Sequence, residues 1–203
     1  MDDVRFNKLV IVANALLPLG LLSVDALTGR LGANPIEYFL RATGVLTLIF
    51  ILVTLAVSPL RKLSGWNSII KYRRMLGLFG FFYGALHLIT YSIFDKGLEI
   101  LAIAQDVVQR PFIAVGMAAF TLLVPLAITS TNAWIKRLGG KRWNLIHKLV
   151  YPIAILGVIH FWMIVKSDLF YPAVFAAFLA VLLGYRLLTR MRKFEGTVTR
   201  KAA

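Results

Sequence analysis

Three histidines, His87, His147 and His160, are the residues of this 203-residue sequence best suited to bind a metal. The sequence contains no cysteine, which excludes disulfides, thiolate metal sites, iron–sulfur ligation and covalently attached c-type haem. Neutral imidazole is a common ligand of transition metals. Two imidazoles on opposite faces of a haem iron leave it no open coordination position, so such a pair serves electron transfer rather than oxygen binding.

All three histidines lie in or beside apolar segments long enough to cross a membrane. Hydrophobic residues make up 59% of the sequence and the mean hydropathy is +0.78, which is more apolar surface than one soluble core of this size can bury. A spanning helix needs about 20 apolar residues. We therefore predict an all-α bundle of six transmembrane helices that forms a single domain over residues 1–203, with helices at about residues 9–27, 41–57, 75–94, 111–130, 145–165 and 170–189.

The distribution of charge predicts the orientation of the bundle. The formal net charge is +14, but the basic residues form short runs between apolar segments, so we expect a lipid bilayer and no nucleic acid as partner. Of the 23 lysines and arginines, 18 lie on the side that holds the N-terminus, the connections 58–74 and 131–144, and the C-terminal tail. The positive-inside rule places both termini in the cytoplasm. The longest outer connection, 95–110, is predicted to contain a short helix at the outer surface.

His87 and His160 are expected at similar depth in the outer half of the membrane. Both of their helices rise from the inside, so His87 lies roughly 18 Å above residue 75 and His160 roughly 22 Å above residue 145, in an apolar core about 30 Å thick. If the two helices are neighbours, the imidazoles can bind one iron from both sides. Gly80 and Gly84 precede His87 on its face and would admit a flat macrocycle, but Gly80-x-x-x-Gly84 is equally a helix-packing motif. An inter-helix hydrogen bond is the alternative role for His87.

His147 and Arg73 define a second candidate site near the inner membrane surface. His147 lies roughly 20 Å below His160, which suits a second haem. However, an ideal helix would place these two rings about 140° apart, and the sequence has no fourth histidine. Arg73, on the face of His87, could bind a haem propionate, a flavin phosphate or a lipid headgroup. The alternatives are a positive-inside role for Arg73 and an interfacial, hydrated His147.

Taken together, the motifs resemble the MsrQ (YedZ) family, the haem-binding membrane subunits of bacterial methionine sulfoxide reductase systems. That family belongs with the ferric-reductase-like transmembrane proteins, which include NADPH oxidases. The resemblance covers roughly residues 30–166. It rests on residues 31–35, 73–78 with His87, 110–111, 129–131, and 140–151 with His160.

The resemblance implies cofactors, ligands and partners. His87 and His160 would be the ligands of an outer haem b, and His147 matches the inner ligand position of the fifth helix in the wider superfamily. The matching inner position on the third helix is histidine in the oxidases and Arg73 here, so one haem or two are both open. The resemblance also implies FMN as a further cofactor, the bacterial inner membrane as location, and a periplasmic molybdopterin methionine sulfoxide reductase as electron acceptor.

The function predicted on this basis is transmembrane electron transfer in support of the repair of oxidised envelope proteins. Because the sequence ends soon after the sixth helix, we expect no flavin-reductase domain of its own and a donor that is quinol or a soluble flavin reductase. The chain would be an electron-transfer subunit rather than the catalytic subunit. Two alternatives stay open: a self-sufficient ferric or oxygen reductase, and a haem-free transporter, against which stand the lack of a visible inverted repeat and the near absence of intramembrane acids.

Overall fold

The structure, a computed structural model, describes residues 3–165 and 167–202, with side chains up to residue 192. Asp2, Lys166 and the charged side chains after residue 192, which contribute to the charge count above, lie outside the described residues. Every regular element in the described part of the chain is helical. The elements are α1 (Asp3–Leu27), α2 (Pro35–Ser64), a 3-10 helix (Asn67–Tyr72), α3 (Arg73–Thr90), a π-helical turn (Tyr91–Asp95), α4 (Ile100–Gln109), α5 (Pro111–Ile128), α6 (Asn132–Ile146), a 3-10 turn (His147–Leu149), α7 (Val150–Ile164) and α8 (Phe170–Ala202).

Six helical segments of the described chain are long and apolar enough to cross a membrane. They are Asp3–Leu27, Pro35–Ser64, Asn67–Asp95, Pro111–Ile128, Asn132–Ile164 and Phe170–Arg192. Many of their large apolar side chains face outwards, as in α1, where Ala15 and Leu22 alone are buried. Because water would penalise such a surface, lipid must cover it. The predicted all-α bundle of six spans is confirmed, and the protein is a multi-pass membrane protein.

The two connections predicted to lie on the cytoplasmic side contain more helix than the sequence pattern indicated. Within 58–74, α2 continues past Pro59 to Ser64 and a 3-10 helix follows. Within 131–144, α6 begins where the Thr131 hydroxyl accepts a hydrogen bond from the Trp134 amide, 3.3 Å away. Hydropathy detects the segments that lie in lipid, whereas polar helices at the membrane surface are stabilised by caps and local hydrogen bonds that hydropathy does not see.

Four helices form a closed ring around the centre of the bundle. α2 packs against α3, α3 against α5, α5 against α7, and α7 against α2, while α8 packs on the outside against α2 and α7. α3 and α7 therefore occupy opposite corners and are not packed neighbours. The apolar core lies where α2, α5, α7 and α8 meet; its buried residues are Leu48, Ile51, Leu52, Leu55, Ala56, Leu123, Leu126, Ile153, Ala154, Val158, Leu179 and Leu182.

An ionic network fixes α4 to the outer end of the third span. The Asp106 carboxylate lies 2.6 Å from Lys96 Nζ and 3.4 Å from Arg110 Nε, and it accepts a 2.9 Å hydrogen bond from the Tyr91 hydroxyl. The short helix expected within 95–110 is present as α4, and its far side exposes Leu101 and other apolar side chains.

Candidate functional site

The structure brings His87 and His160 together inside the ring of helices. His87 extends from α3 and His160 from α7, and the two ring centroids are 6.2 Å apart with their planes at 89°. The two helices are at opposite corners of the ring rather than side by side. The expectation of similar depth is met.

Each imidazole is held by a backbone carbonyl of a different helix. His87 Nδ1 lies 2.9 Å from the carbonyl oxygen of Leu40 on α2, and His160 Nδ1 lies 2.6 Å from that of Phe112 on α5. A carbonyl oxygen can only accept, so Nδ1 is the protonated nitrogen in both rings. Nε2 therefore carries the free lone pair, and no described residue forms a hydrogen bond with it. This arrangement is typical of metal-binding histidines.

The inter-helix hydrogen bond that the sequence left as an alternative for His87 is therefore present, and it is compatible with metal ligation because it uses the other nitrogen. A bond from imidazole nitrogen to a transition metal is about 2 Å long. The ring centroid lies roughly 1.1 Å beyond the nitrogen, so two imidazoles on opposite sides of one metal have centroids roughly 6 Å apart. The observed 6.2 Å fits that separation.

The remaining ligands of such a metal would have to come from a cofactor. The described residues contain no cluster of three or more His, Cys, Asp or Glu side chains placed to hold a metal ion. Haem supplies four equatorial nitrogens and needs two axial ligands from the protein, which is the number that this site offers. His87 and His160 thus fit haem rather than an ion held by side chains alone.

Arg73 and His147 lie on the wall of a single cavity at the end of the bundle that the charge distribution predicts to be cytoplasmic. The cavity has a volume of about 550 Å³ and is bordered by α2, α3, α5, α6, α7 and α8. All of the charged residues that line it are basic: Lys71, Arg73, Arg74, Lys148 and Arg186. A cavity of this charge favours an anionic ligand. We call it the inner cavity.

His147 is oriented by Thr129 at the end of α5 and by Trp143 of α6. Its Nε2 lies 3.1 Å from the Thr129 hydroxyl, and its ring stacks on Trp143 with centroids 3.8 Å apart. His147 and His160 thus both form hydrogen bonds with the α5 side of the fifth span, although an ideal helix would place them far apart around its axis. The 3-10 turn His147–Leu149 lies between them and turns through more degrees per residue than an α-helix does.

Comparison with known proteins gives the same assignment as the motifs. The family described as ferric reductase like transmembrane component matches residues 40–158. The protein-methionine-sulfoxide reductase heme-binding subunit MsrQ of Herminiimonas arsenicoxydans is 52% identical over 188 residues, which cover 92% of this chain and 86% of the relative. The MsrQ subunits of Azospira oryzae and Rhodospirillum rubrum are 53% and 48% identical, covering 80% and 95% of this chain and 70% and 92% of their own.

The chain belongs to the MsrQ family. The resemblance read from the motifs is thereby confirmed over nearly the whole sequence. The matched family region includes His87 and His147 and ends two residues before His160.

Gly80 and Gly84, two of the three glycines of α3 that precede His87, face neighbouring helices. A Cβ at Gly80 would lie 3.3 Å from the Ile51 side chain of α2, and a Cβ at Gly84 would lie 3.4 Å from Thr47 and 3.5 Å from Phe120. These are the contacts of a helix-packing motif. The cofactor-binding role of Gly80 and Gly84 stays a prediction.

Arg186 is a site residue that sequence reasoning missed, because it was counted only as a topology determinant. It lies on α8 at the wall of the inner cavity, where it donates hydrogen bonds to the Tyr151 hydroxyl and, at 2.5 Å, to the Leu55 carbonyl oxygen. In a regular helix the amide of residue 59 would occupy that oxygen, but Pro59 has no N–H. An arginine inside the apolar run that begins at residue 170 was the available signal.

Proposed function

We propose that this MsrQ-family protein is a b-type cytochrome subunit of the bacterial inner membrane. It passes electrons from a donor on the cytoplasmic side to a periplasmic molybdopterin methionine sulfoxide reductase. The observation that carries the proposal is the pair of imidazoles, His87 and His160, with centroids 6.2 Å apart and both Nδ1 atoms bonded to backbone carbonyls. The relatives are named heme-binding subunits of protein-methionine-sulfoxide reductase, which supports both the cofactor and the acceptor.

His87 and His160 would hold haem b through their Nε2 atoms. When bound, haem supplies a one-electron couple between ferric and ferrous iron. The hydrogen bonds to Leu40 and Phe112 fix the orientation of the two rings and raise the basicity of Nε2. With both histidines holding the haem, the protein would leave the iron no open position, and the site would favour electron transfer over binding of oxygen.

The inner cavity would be the place where electrons enter. Its basic wall can neutralise the phosphate of FMN or the propionates of a second haem, with Arg73 as a donor. Arg186 contributes positive charge, while its two terminal nitrogens donate to Tyr151 and Leu55. His147 is the one imidazole on that wall and would be the protein ligand of a second haem. The basic surface around it would also attract a flavin reductase or bring quinol to the membrane face. The charge bias of the connections supports a cytoplasmic location for this end.

The electron count of the proposed reaction is balanced by two successive transfers. Reduction of a sulfoxide to a thioether consumes two electrons and two protons and releases water. A quinol or a reduced flavin gives up two electrons and two protons when it is oxidised. Since a haem carries one electron at a time, each repaired methionine requires two passages through the protein.

Cofactor analysis of histidine variants tests the proposal. Haem and flavin are quantified in purified wild-type protein and in His87→Ala, His160→Ala and His147→Ala. We expect the first two variants to lose the same haem, identified by its absorption spectrum. We expect His147→Ala to keep that haem and to lose a second one; if it loses none, the second haem is refuted. Wild-type protein without a Soret band, after expression with ample haem, would refute the cytochrome and favour the transporter.

The acceptor requires a separate assay. Reduced protein is mixed with a purified periplasmic methionine sulfoxide reductase, with ferric chelates, or with oxygen, and haem reoxidation is followed by stopped-flow absorbance. We expect fast reoxidation only with the reductase in the presence of a methionine sulfoxide substrate. Equally fast reoxidation by ferric chelates or oxygen alone would favour the self-sufficient reductase.

A further inference from the structure

We infer that Gly44 and Gly116 are positioning residues, which leave the space each imidazole needs to reach the backbone carbonyl one helical turn earlier. The expected effects on haem affinity and reduction potential rest on the proposed function, in which His87 and His160 bind haem. The contacts between the glycines and the imidazoles do not depend on it. Neither glycine belongs to the motifs that identified the site, and both lie on the helices that face the histidines rather than on the helices that bear them.

The closest approach is at Gly116 of α5. A Cβ built on Gly116 would lie 2.7 Å from Cε1 and 2.8 Å from Nδ1 of His160, closer than real Cβ atoms come to other atoms. The same Nδ1 donates to the carbonyl of Phe112, four residues before Gly116. Residues four apart lie on the same face of a helix. The ring therefore lies against the helix surface at the place where any other residue would put a side chain.

Gly44 of α2 repeats this arrangement for the other ring. A Cβ on Gly44 would lie 3.2 Å from both Cε1 and Nδ1 of His87. The same Nδ1 donates to the carbonyl of Leu40, again four residues earlier. Two helices thus present the same pair, a carbonyl acceptor and a glycine one turn later, to the two imidazoles.

These glycines differ from those that only allow helices to pack. The atoms closest to the Cβ positions of Gly44 and Gly116 all belong to histidine rings. At Gly157, by contrast, a Cβ would meet the end of the Leu48 side chain at 3.2 Å, and at Gly184 it would meet nothing within 4 Å. Gly157 is therefore a control for crowding, because its Cβ would meet a neighbour at the same distance as that of Gly44. Gly184 is a control at which an added methyl group meets nothing.

A methyl group at either position would push the ring off the helix and weaken the Nδ1–H···O=C bond. The ligand nitrogen would become less basic, so ferric iron would be less stabilised and the reduction potential would rise. Loss of such outer-shell contacts commonly costs 10- to 100-fold in metal affinity. We expect a reduction in haem affinity of roughly 10-fold or more for Gly116→Ala. The effect of Gly44→Ala should be in the same direction and smaller, because a contact at 3.2 Å needs only a small shift.

The test compares four full-length variants in detergent: Gly116→Ala, Gly44→Ala, Gly157→Ala and Gly184→Ala. Haem affinity and reduction potential are measured for each, with far-ultraviolet circular dichroism as the check of folding. We expect weaker binding and a higher potential in the first two and wild-type values in the last two. Wild-type affinity and potential in folded Gly116→Ala overturn the inference, as does an effect of Gly157→Ala as large as that of Gly44→Ala.

A second measurement on haem-free protein separates this inference from the proposed function. Nitrogen-15 NMR of labelled histidines reports which ring nitrogen is protonated and whether it is hydrogen-bonded. We expect Gly116→Ala to alter the Nδ1–H signal of His160 and Gly44→Ala that of His87, each leaving the other unchanged. Unaltered signals overturn the inference. If wild-type protein binds no haem, the proposed function fails while this readout still decides the role of the glycines. If Gly116→Ala does not fold, Gly44→Ala decides by the same criteria.

Discussion

Replacing Arg186 with methionine tests how the inner cavity is held together. The substitution removes the hydrogen bonds to the Leu55 carbonyl and the Tyr151 hydroxyl, and the contact of the guanidinium with the Tyr151 ring at 5.0 Å. A buried carbonyl left without a donor costs about 1–3 kcal/mol, and a cation–π contact contributes about 0.5–2 kcal/mol. Removal of a partly buried charge offsets some of this loss. We expect the free energy of unfolding to fall by about 2–3 kcal/mol.

A substitution of Pro59 tests whether this loss of stability comes from the unpaired Leu55 carbonyl. Pro59→Ala restores the amide that would bond to the Leu55 carbonyl within α2, so Arg186→Met should then cost less. We expect a coupling energy of about 1–2 kcal/mol in the double-mutant cycle, measured by reversible unfolding in mixed micelles at equal cofactor content. Arg190→Met, one turn further along α8 and exposed, is the control and should change stability by no more than about 0.5 kcal/mol. An equal cost of Arg186→Met in both backgrounds would refute the reasoning.

Further predictions concern the outer and first helices. The hydrogen bond from Lys96 lowers the pKa of Asp106, so its contribution to stability is full above the unfolded pKa of about 3.9 and is lost as pH falls through the lower folded pKa. Hydrogen exchange of α4 should show this acid dependence in wild type and lose it in Asp106→Asn; an unchanged dependence would contradict the assignment. Tyr83→Phe removes the buried hydrogen bond to the Ala15 carbonyl and should lower the free energy of unfolding by about 1 kcal/mol, with faster exchange in α1. Asn34→Ala removes the cap of α2 and should cost about 0.5–2 kcal/mol in the same unfolding assay, whereas no loss would show that the cap is dispensable.

Hydropathy and helical rise were sufficient to predict the six spans and the common depth of the two outer histidines. Both features depend on local sequence: a run of apolar residues must lie in lipid, and the rise per residue fixes how far along a span His87 and His160 lie. The resemblance of the motifs added the family. Together they identified the pair that the structure brings to 6.2 Å.

The remaining features depend on which helices pack against each other, and local sequence patterns do not carry that information. The opposite-corner placement of α3 and α7 follows from packing around the ring. Gly44 and Gly116 become meaningful only when α2 and α5 are known to face the imidazoles. The link between Arg186 and Pro59 joins residues far apart in sequence through a single orphaned carbonyl.

Electron paramagnetic resonance of the oxidised protein tests the shared haem most directly. If His87 and His160 hold one haem with their planes at 89°, its ferric form would give a low-spin signal of the highly anisotropic kind. The account predicts this signal in wild-type protein and its loss in both His87→Ala and His160→Ala. Absence of the anisotropic low-spin signal from wild-type protein, or its survival in either variant, would contradict ligation of one iron by this pair.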